Sequence, residues 1–246
     1  MNAMTIDNSA LTHRSIRTFS AAPSAADQRV LEDVAQATSS SNFLQQVTLI
    51  KVFDPQKRQR IADLTNCPFV AGEGLLYVFV LDQHRNIETA HLTEATASHF
   101  TGWAGFFGGV ADAELAAQNL LGAAERSGLG GCFRGSVLND PRQMIALLNL
   151  PRFTFPVLGL MVGVPAEAPQ HKPRLPHAAV VGENTYPAAQ DLQDYDTTLN
   201  NYYRTRQWNA REETFTDSLL GYTKTDLHHR LEIGQILREQ GFHLPQ

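Results

Sequence analysis

The chain has 246 residues, of which 43% are hydrophobic and 18% charged, and it carries a net charge of −5. That length allows one large domain or two small ones, and the composition is ordinary for a globular protein. The acidic excess argues against a protein whose main partner is nucleic acid, and the basic residues that matter are expected to form a local pocket.

Residues 1–10 lack an apolar core beside basic residues, and no secretory leader is expected there. Residues 13–19 read His-Arg-Ser-Ile-Arg-Thr-Phe, which puts an imidazole, two guanidiniums and a hydroxyl around one apolar position. Arg14 and Arg17 can grip phosphate oxygens in pairs and Ser15 adds a short donor. A solvated basic face is the plain alternative. Pro23, Ser24 and Asp27 mark a helix start, with Val30, Leu31, Val34 and Ala35 as its apolar face to about Ala37. The hydroxyl-rich run 38–42, which includes Ser40, competes for backbone groups and stops that helix. A simple helix stop explains the run as well as a ligand contact does.

Residues 46–53 read as a strand ended by Asp54-Pro55, and 57–64 as a helix with Ile61 and Leu64 inward. The continuous apolar run 75–81 suits a central strand covered on both faces. His84, His91 and His99 are spaced seven and eight apart, so they form no i, i+4 metal pair. Cys67 and Cys132, the two cysteines, make neither a disulfide framework nor a metal spacing and fit a reducing, cytoplasmic setting. Residues 104–124 are apolar but are interrupted by Asp112, Glu114, Gln118 and Asn119, which rules out a membrane span. Apolar positions at helical spacing predict a central helix over 108–127, and its Ala and Gly residues permit close approach of another helix, expected to be its copy in a second subunit.

Residues 128–136, Gly-Leu-Gly-Gly-Cys-Phe-Arg-Gly-Ser, fail the dinucleotide fingerprint in spacing and follow a helix where a strand is required. Asp140-Pro141 starts a helix through Met144, Ile145, Leu147 and Leu148, and 155–164 is a second long apolar strand. In the loop 165–176, Pro173 keeps the backbone extended between Lys172 and Arg174, so both side chains point the same way. That arrangement suits a phosphate clamp and also occurs in ordinary surface loops. A helix follows from Asp191, with Leu192, Tyr195, Leu199 and Tyr203 on one face. A charged segment then carries Arg206 and Arg211. In the last predicted helix, 227–240, His228 and His229 lie about 100° apart and cannot chelate together.

The motif His13-Arg14-Ser15-Ile16-Arg17, the run 37–45 and Lys172-Pro173-Arg174-Leu175-Pro176, in this order, resemble the flavin-dependent nitroreductase superfamily, in its NADPH-preferring, oxygen-insensitive nitroreductase and flavin reductase branch. The resemblance spans about residues 11–241. It implies an α+β fold with a mixed central sheet surrounded by helices, one FMN-binding domain over 1–246 with a mobile helical excursion near 200–225, and an intertwined homodimer with the flavin at the subunit interface. It implies non-covalent FMN, with His13, Arg14, Ser15, Arg17, Lys172 and Arg174 around the phosphate, ribityl chain and pyrimidine edge. Ser40 is implied as a further contact, and the backbone of Phe133, Arg134, Gly135 and Ser136 as lining one flavin face. Arg206 and Arg211 are implied for the 2′-phosphate of NADPH. Two departures stand out: the loop 66–70 lacks the family's glutamine and is one residue shorter, and Arg134 and Ser136 replace isoleucine and glycine.

The sequence shows no nucleophile–base set, metal cluster or useful carboxylate pair, which fits a cofactor carrying the difficult step. The activity implied is an FMN-dependent NADPH oxidoreductase that passes two electrons, ping-pong, to nitroaromatics, quinones or similar acceptors, with no catalytic side chain. An NADPH-dependent flavin reductase is the alternative, and a flavin carrier or sensor is an alternative of another class. The expected partners are a small-molecule acceptor and a second copy, with neither nucleic acid nor membrane.

Overall fold

The structure, a computed structural model, describes residues 8–244, so most of the chain start discussed above lies outside the described residues. By contacts the chain divides into two compact units, the first of residues 1–169 and 227–246 and the second of residues 170–226.

The first unit is built on a five-stranded sheet of β1 (Phe19–Ala21), β2 (Val47–Val52), β3 (Leu75–Asp82), β4 (Gly130–Arg134) and β5 (Thr154–Pro165). The strands run in the order β1-β5-β3-β2, with β4 also paired to β5. Every pairing between these strands is antiparallel, and a parallel bridge joins Ser15 to Gly131. Helices α1 (Ala25–Gln36), α2 (Pro55–Thr65), α3 (His84–Thr89), α4 (Ser98–Thr101), α5 (Trp103–Arg126), α6 (Pro141–Leu148) and, after the second unit, α10 (Ile233–Glu239) complete it.

All eight residues of β3 are buried, as its unbroken apolar run requires. Leu75, Tyr77, Phe79 and Leu81 face a core shared with α1 and α5, whereas Leu76, Val78 and Val80 face one shared with α2 and α6. The helix starts follow from their caps. Ser24 accepts from the Asp27 amide, Asp54 from Gln56 and Lys57, and Asp140 from Gln143.

The central helix begins at Trp103, five positions before the predicted start. Packing overrides the low propensity of its glycines: a Cβ on Gly109 would lie 2.5 Å from Leu81 Cγ, so the glycine lets α5 seat against the sheet. Ala113, Ala116, Ala117 and Ala124 are likewise buried within the chain. Among the residues that α5 exposes is a stripe at every fourth position, Trp103, Phe107, Ala111 and Leu115.

The predicted last helix is broken in two. His228 takes a left-handed φ of 50°, His228–Glu232 is a 3-10 turn, and α10 proper starts at Ile233. The glycine-rich stretch after α5 is β4, a strand the glycines hide from sequence reading. A Cβ on Gly131 would sit 2.6 Å from Leu121 Cδ1 and 2.8 Å from the Met161 carbonyl oxygen, so only glycine permits this close packing. Among the described residues no helix is long and apolar enough to cross a membrane.

The second unit holds α7 (His177–Val180), α8 (Gln193–Arg204) and α9 (Phe215–Tyr222). Its own small core is Tyr195, Leu199 and Tyr203 with Leu175, Leu192, Tyr202 and Phe215 around them. The Thr214 side chain and Asp217 form a reciprocal capping box at the start of α9.

Candidate functional site

The motif 13–17 is held at three points. His13 Nδ1 lies 2.6 Å from Glu125 Oε1 in the last turn of α5. The Ile16 amide donates to the Gly131 carbonyl at 3.0 Å, which sets the motif beside β4. The amides of Arg17 and Thr18 both donate to Glu167 Oε1, the second at 3.0 Å. Ile16 is buried between these anchors while Arg17 is exposed, with Nη1 3.3 Å from the Ser15 carbonyl oxygen.

On the neighbouring strand the Arg134 guanidinium lies over the Phe69 ring at 3.9 Å. Burial pushes its pKa down and the nearby Arg17 charge acts the same way, against the Cys132 and Cys67 thiols. Ser136 Oγ is 3.7 Å from Cys67 Sγ. A Cβ on Gly135 would meet only open space.

Among the described residues, three fully buried side-chain nitrogens lack a hydrogen-bond partner: Arg14 Nε, Arg134 Nε and Arg134 Nη2. Buried polar groups are nearly always satisfied, because leaving one unmade costs about 1–3 kcal/mol and more for a charged group. All three belong to the motif and the strand that the Ser15–Gly131 bridge joins. A polyanion with further acceptors fits such a donor set.

Ser40 lies elsewhere. Its hydroxyl donates to Asp112 Oδ2 at 2.6 Å and accepts from the Gln45 amide at 2.7 Å, so its one hydrogen is committed. Asp112 and Glu125, which hold Ser40 and His13 respectively, are separated along α5 by about 20 Å at 1.5 Å per residue. Ser40 instead lines a cavity of about 600 Å³ with Glu32, Lys51, Tyr77, Arg85 and Asp112. There Glu32 accepts from the Tyr77 hydroxyl at 3.1 Å and pairs with Lys51 at 2.9 Å. Burial, then the Glu32 charge, hold the Tyr77 phenol above its usual pKa.

Sequence reading missed Asp112, which looks like a polar interruption of an apolar helix. It is 3% exposed and accepts from the Ser40 hydroxyl, the Ser41 amide and the Gln46 amide, so it ties the later part of the hydroxyl-rich run to α5. A charged residue on the buried face of a helical pattern was the available signal.

In the second unit, three cations surround one ring. Lys172 lies 5.3 Å, Arg206 5.7 Å and Arg211 3.8 Å from the centre of Tyr203. Arg211 is also ion-paired to Glu213, whose carboxyl is held below its usual pKa by the Ser218 hydroxyl, with Arg211 and Lys172 adding to the effect. Arg174 is exposed. No group of three or more His, Cys, Asp or Glu side chains among the described residues could hold a metal ion.

Residues 10–164 match the family model described as "Nitroreductase family", and residues 172–245 match "Nitroreductase family, C-terminal domain". The chain belongs to the nitroreductase family. The FMN reductase (NADPH) of Bacillus subtilis strain 168 is 36% identical over 244 residues, covering 94% of this chain and 96% of that one. An NADPH-dependent oxidoreductase of Staphylococcus saprophyticus is 32% identical, with 94% of each chain covered. Among solved structures, the NfrA1 nitroreductase from B. subtilis superposes with a TM-score of 0.87 at 34% identity, over 95% of this chain and 97% of that one. The NADPH:FMN oxidoreductase from Vibrio harveyi complexed with NAD+ gives 0.83 at 31% identity, with 96% of each chain covered. These matches bear out the α+β nitroreductase fold.

Proposed function

We propose that this chain is an FMN-dependent NADPH oxidoreductase acting on small electron-poor acceptors such as nitroaromatics and quinones. The observation that carries the reading is the cationic motif 13–17 anchored beside β4, in a chain whose relatives bear the names FMN reductase (NADPH) and NADPH-dependent oxidoreductase. Bound FMN supplies two-electron transfer between coenzyme and acceptor, taken in turn. The protein's own residues bind, orient and set the field.

In this reading Arg14, Ser15 and Arg17 hold the phosphate and its neighbourhood. The His13–Glu125 pair and the Glu167 carboxylate fix the backbone that carries them. The backbone of 133–136 faces the flavin, with open space at Gly135. Lys172 and Arg174 are assigned to the FMN phosphate, and Arg206 and Arg211 to the 2′-phosphate of NADPH, from the sequence, and substitution tests each. The Lys172–Arg206–Arg211 ring around Tyr203 supports an anion site in the second unit.

A homodimer belongs to the same proposal. The exposed stripe Trp103, Phe107 and Leu115 on α5 is the apolar surface that a second copy would cover. Ser40 then contributes to a cofactor site from the partner's side, since it does not reach Arg14 and Arg134 in its own chain. Light scattering on the purified protein tests this, and a monomer at micromolar concentration would remove it.

The name FMN reductase on the B. subtilis relative favours a second reading, in which free FMN is itself the acceptor. Steady-state turnover with free FMN against a nitroaromatic and a quinone separates the two. A large preference for FMN selects flavin reduction. Reduction of none of them by NADPH rejects both.

A further inference from the structure

Three cations meet at Tyr203, and a carboxylate already stands among them. Arg211 lies 3.8 Å from the ring centre, Lys172 5.3 Å and Arg206 5.7 Å. Arg211 is therefore no further than about 10 Å from either of the others, about one Debye length at 0.1 M salt. Lys172 is exposed and both arginines are partly so. Like charges this close repel, and Glu213 offsets them. It is ion-paired to Arg211 Nε. Its carboxyl is held below its usual pKa by the Ser218 hydroxyl first, with Arg211 and then Lys172 adding to the effect.

Both members of the pair are held in place. The Glu213 amide donates to Asn200 Oδ1 on α8 at 3.0 Å, and Glu213 Oε1 accepts from the Ser218 hydroxyl on α9 at 2.6 Å. The Arg211 amide donates to the Tyr203 carbonyl at 3.2 Å, and its Nη1 lies 3.4 Å from the Asn209 carbonyl oxygen. The side chains of Arg211 and Glu213 are 33% and 24% exposed, so a ligand in solvent can reach both. An arriving dianion meets three positive charges and one fixed negative charge. That negative charge occupies Arg211 and also repels the newcomer, so the site binds an anion less tightly than its three cations alone would.

We propose that Glu213 is a specificity-determining residue, an internal counter-ion that competes with the 2′-phosphate of NADPH for Arg211 and so limits the preference for NADPH over NADH. The proposal rests on the reading of Arg206 and Arg211 as the 2′-phosphate site and goes beyond it by naming the group that weakens that site. NADH carries a hydroxyl where NADPH carries the phosphate, so its binding is nearly blind to the charge at Glu213.

Glu213→Gln isolates that charge. Its amide oxygen can accept from Arg211 and its amide nitrogen can donate to the Ser218 oxygen, so both contacts survive without the negative charge. Glu213→Ala removes charge and anchor together and carries the test if the glutamine variant does not fold. The full-length, FMN-loaded proteins are compared with wild type and Arg206→Ala. The measurements are calorimetric binding of adenosine 2′,5′-bisphosphate and of adenosine 5′-phosphate, and kcat/KM with NADPH and with NADH.

Glu213→Gln is expected to bind the bisphosphate about three- to tenfold tighter, the range for a partly exposed charge facing a dianion, with adenosine 5′-phosphate little changed. The ratio of kcat/KM for NADPH to that for NADH should rise by a similar factor, and the gain should fade as salt screens the site. Glu213→Ala should raise the ratio by less, because Arg211 loses its anchor. A ratio unchanged or lowered in whichever of these variants fold, even with reduced thermal stability, would leave Glu213 a structural ion pair and overturn the proposal. Wild type that binds the bisphosphate no better than adenosine 5′-phosphate, with Arg206→Ala the same, would overturn it together with the 2′-phosphate assignment. Oxidation of neither coenzyme would remove the proposed function itself.

Discussion

Asp112 holds the hydroxyl-rich run in place, and Asp112→Ala tests how strongly. The carboxylate is 3% exposed and takes three hydrogen bonds, from Ser40 Oγ at 2.6 Å, the Ser41 amide at 3.1 Å and the Gln46 amide at 2.9 Å. Removing it leaves the Gln46 amide buried without a partner, at a cost of about 1–3 kcal/mol. Ser40 and Ser41 sit closer to water and can exchange the carboxylate for solvent, so each loses about 0.5–1.5 kcal/mol. Relief of a buried charge and the better helix propensity of alanine return part of this, the latter about 0.5 kcal/mol. The expected net loss is ~2–4 kcal/mol, and Asp112→Asn, which keeps one acceptor oxygen, should lose ~1–2 kcal/mol. Urea unfolding gives the loss, provided the slope with denaturant stays constant. Amide exchange at Gln46 should accelerate in both variants while β3 stays protected. An Asp112→Ala protein within about 0.5 kcal/mol of wild type, with Gln46 still protected, would refute the assignment.

The remaining expectations concern binding and pH. Arg17→Ala and Arg174→Ala should each weaken FMN by about 1–3 kcal/mol, one charge-assisted contact apiece, and unchanged affinity in both would remove the phosphate assignment. Arg206→Ala should raise the Michaelis constant for NADPH and leave NADH nearly untouched; equal effects on the two coenzymes would exclude it from the 2′-phosphate site. His229 Nδ1 is 2.6 Å from Glu232 Oε1, and that bond, with Asp140 beside it, holds the imidazole above its usual pKa of 6.5. A raised value means that its contribution is complete below pH 6.5 and fades as pH rises through the folded-state value. The stability difference between wild type and His229→Gln should therefore shrink between about pH 6 and 8, and a difference constant over that range would show that the pair does not titrate there.

The sheet and its major helices were legible because local rules and the fold agree. Ser24, Asp54 and Asp140 cap where a cap is expected, and the apolar run of β3 lies in the middle of the sheet, covered on both faces. Legibility failed where tertiary packing overrides propensity. Glycine argues against β4 and against the first two turns of α5, yet Gly131 and Gly109 are there because Leu121, Met161 and Leu81 leave no room for a Cβ. Residues 227–240 are periodic enough for one helix, but His228 adopts a left-handed backbone near its start and 228–232 wind as a 3-10 turn, so the α-helix begins only at Ile233.

The site was legible as a motif and illegible as a network. His13, Arg14 and Arg17 stand out by composition, but nothing local says that His13 pairs with Glu125 or that Glu167 collects two amides, since the partners lie 112 and up to 150 residues away. Ser40 is expected from the resemblance as a further cofactor contact, and the sequence gives no sign that its hydroxyl is bound to Asp112. Arg134 could be seen as unusual from sequence alone. That its guanidinium is stacked on Phe69, with two buried nitrogens unpartnered, could not.

The most direct test of the account is an absorption spectrum of the purified protein, reconstituted with FMN if needed, followed by anaerobic addition of NADPH. The account predicts the two bands of an oxidised protein-bound flavin and their bleaching by about one equivalent of NADPH, with colour returning when a quinone is added. A protein that takes up no FMN, or one whose bound flavin NADPH does not bleach, would contradict it.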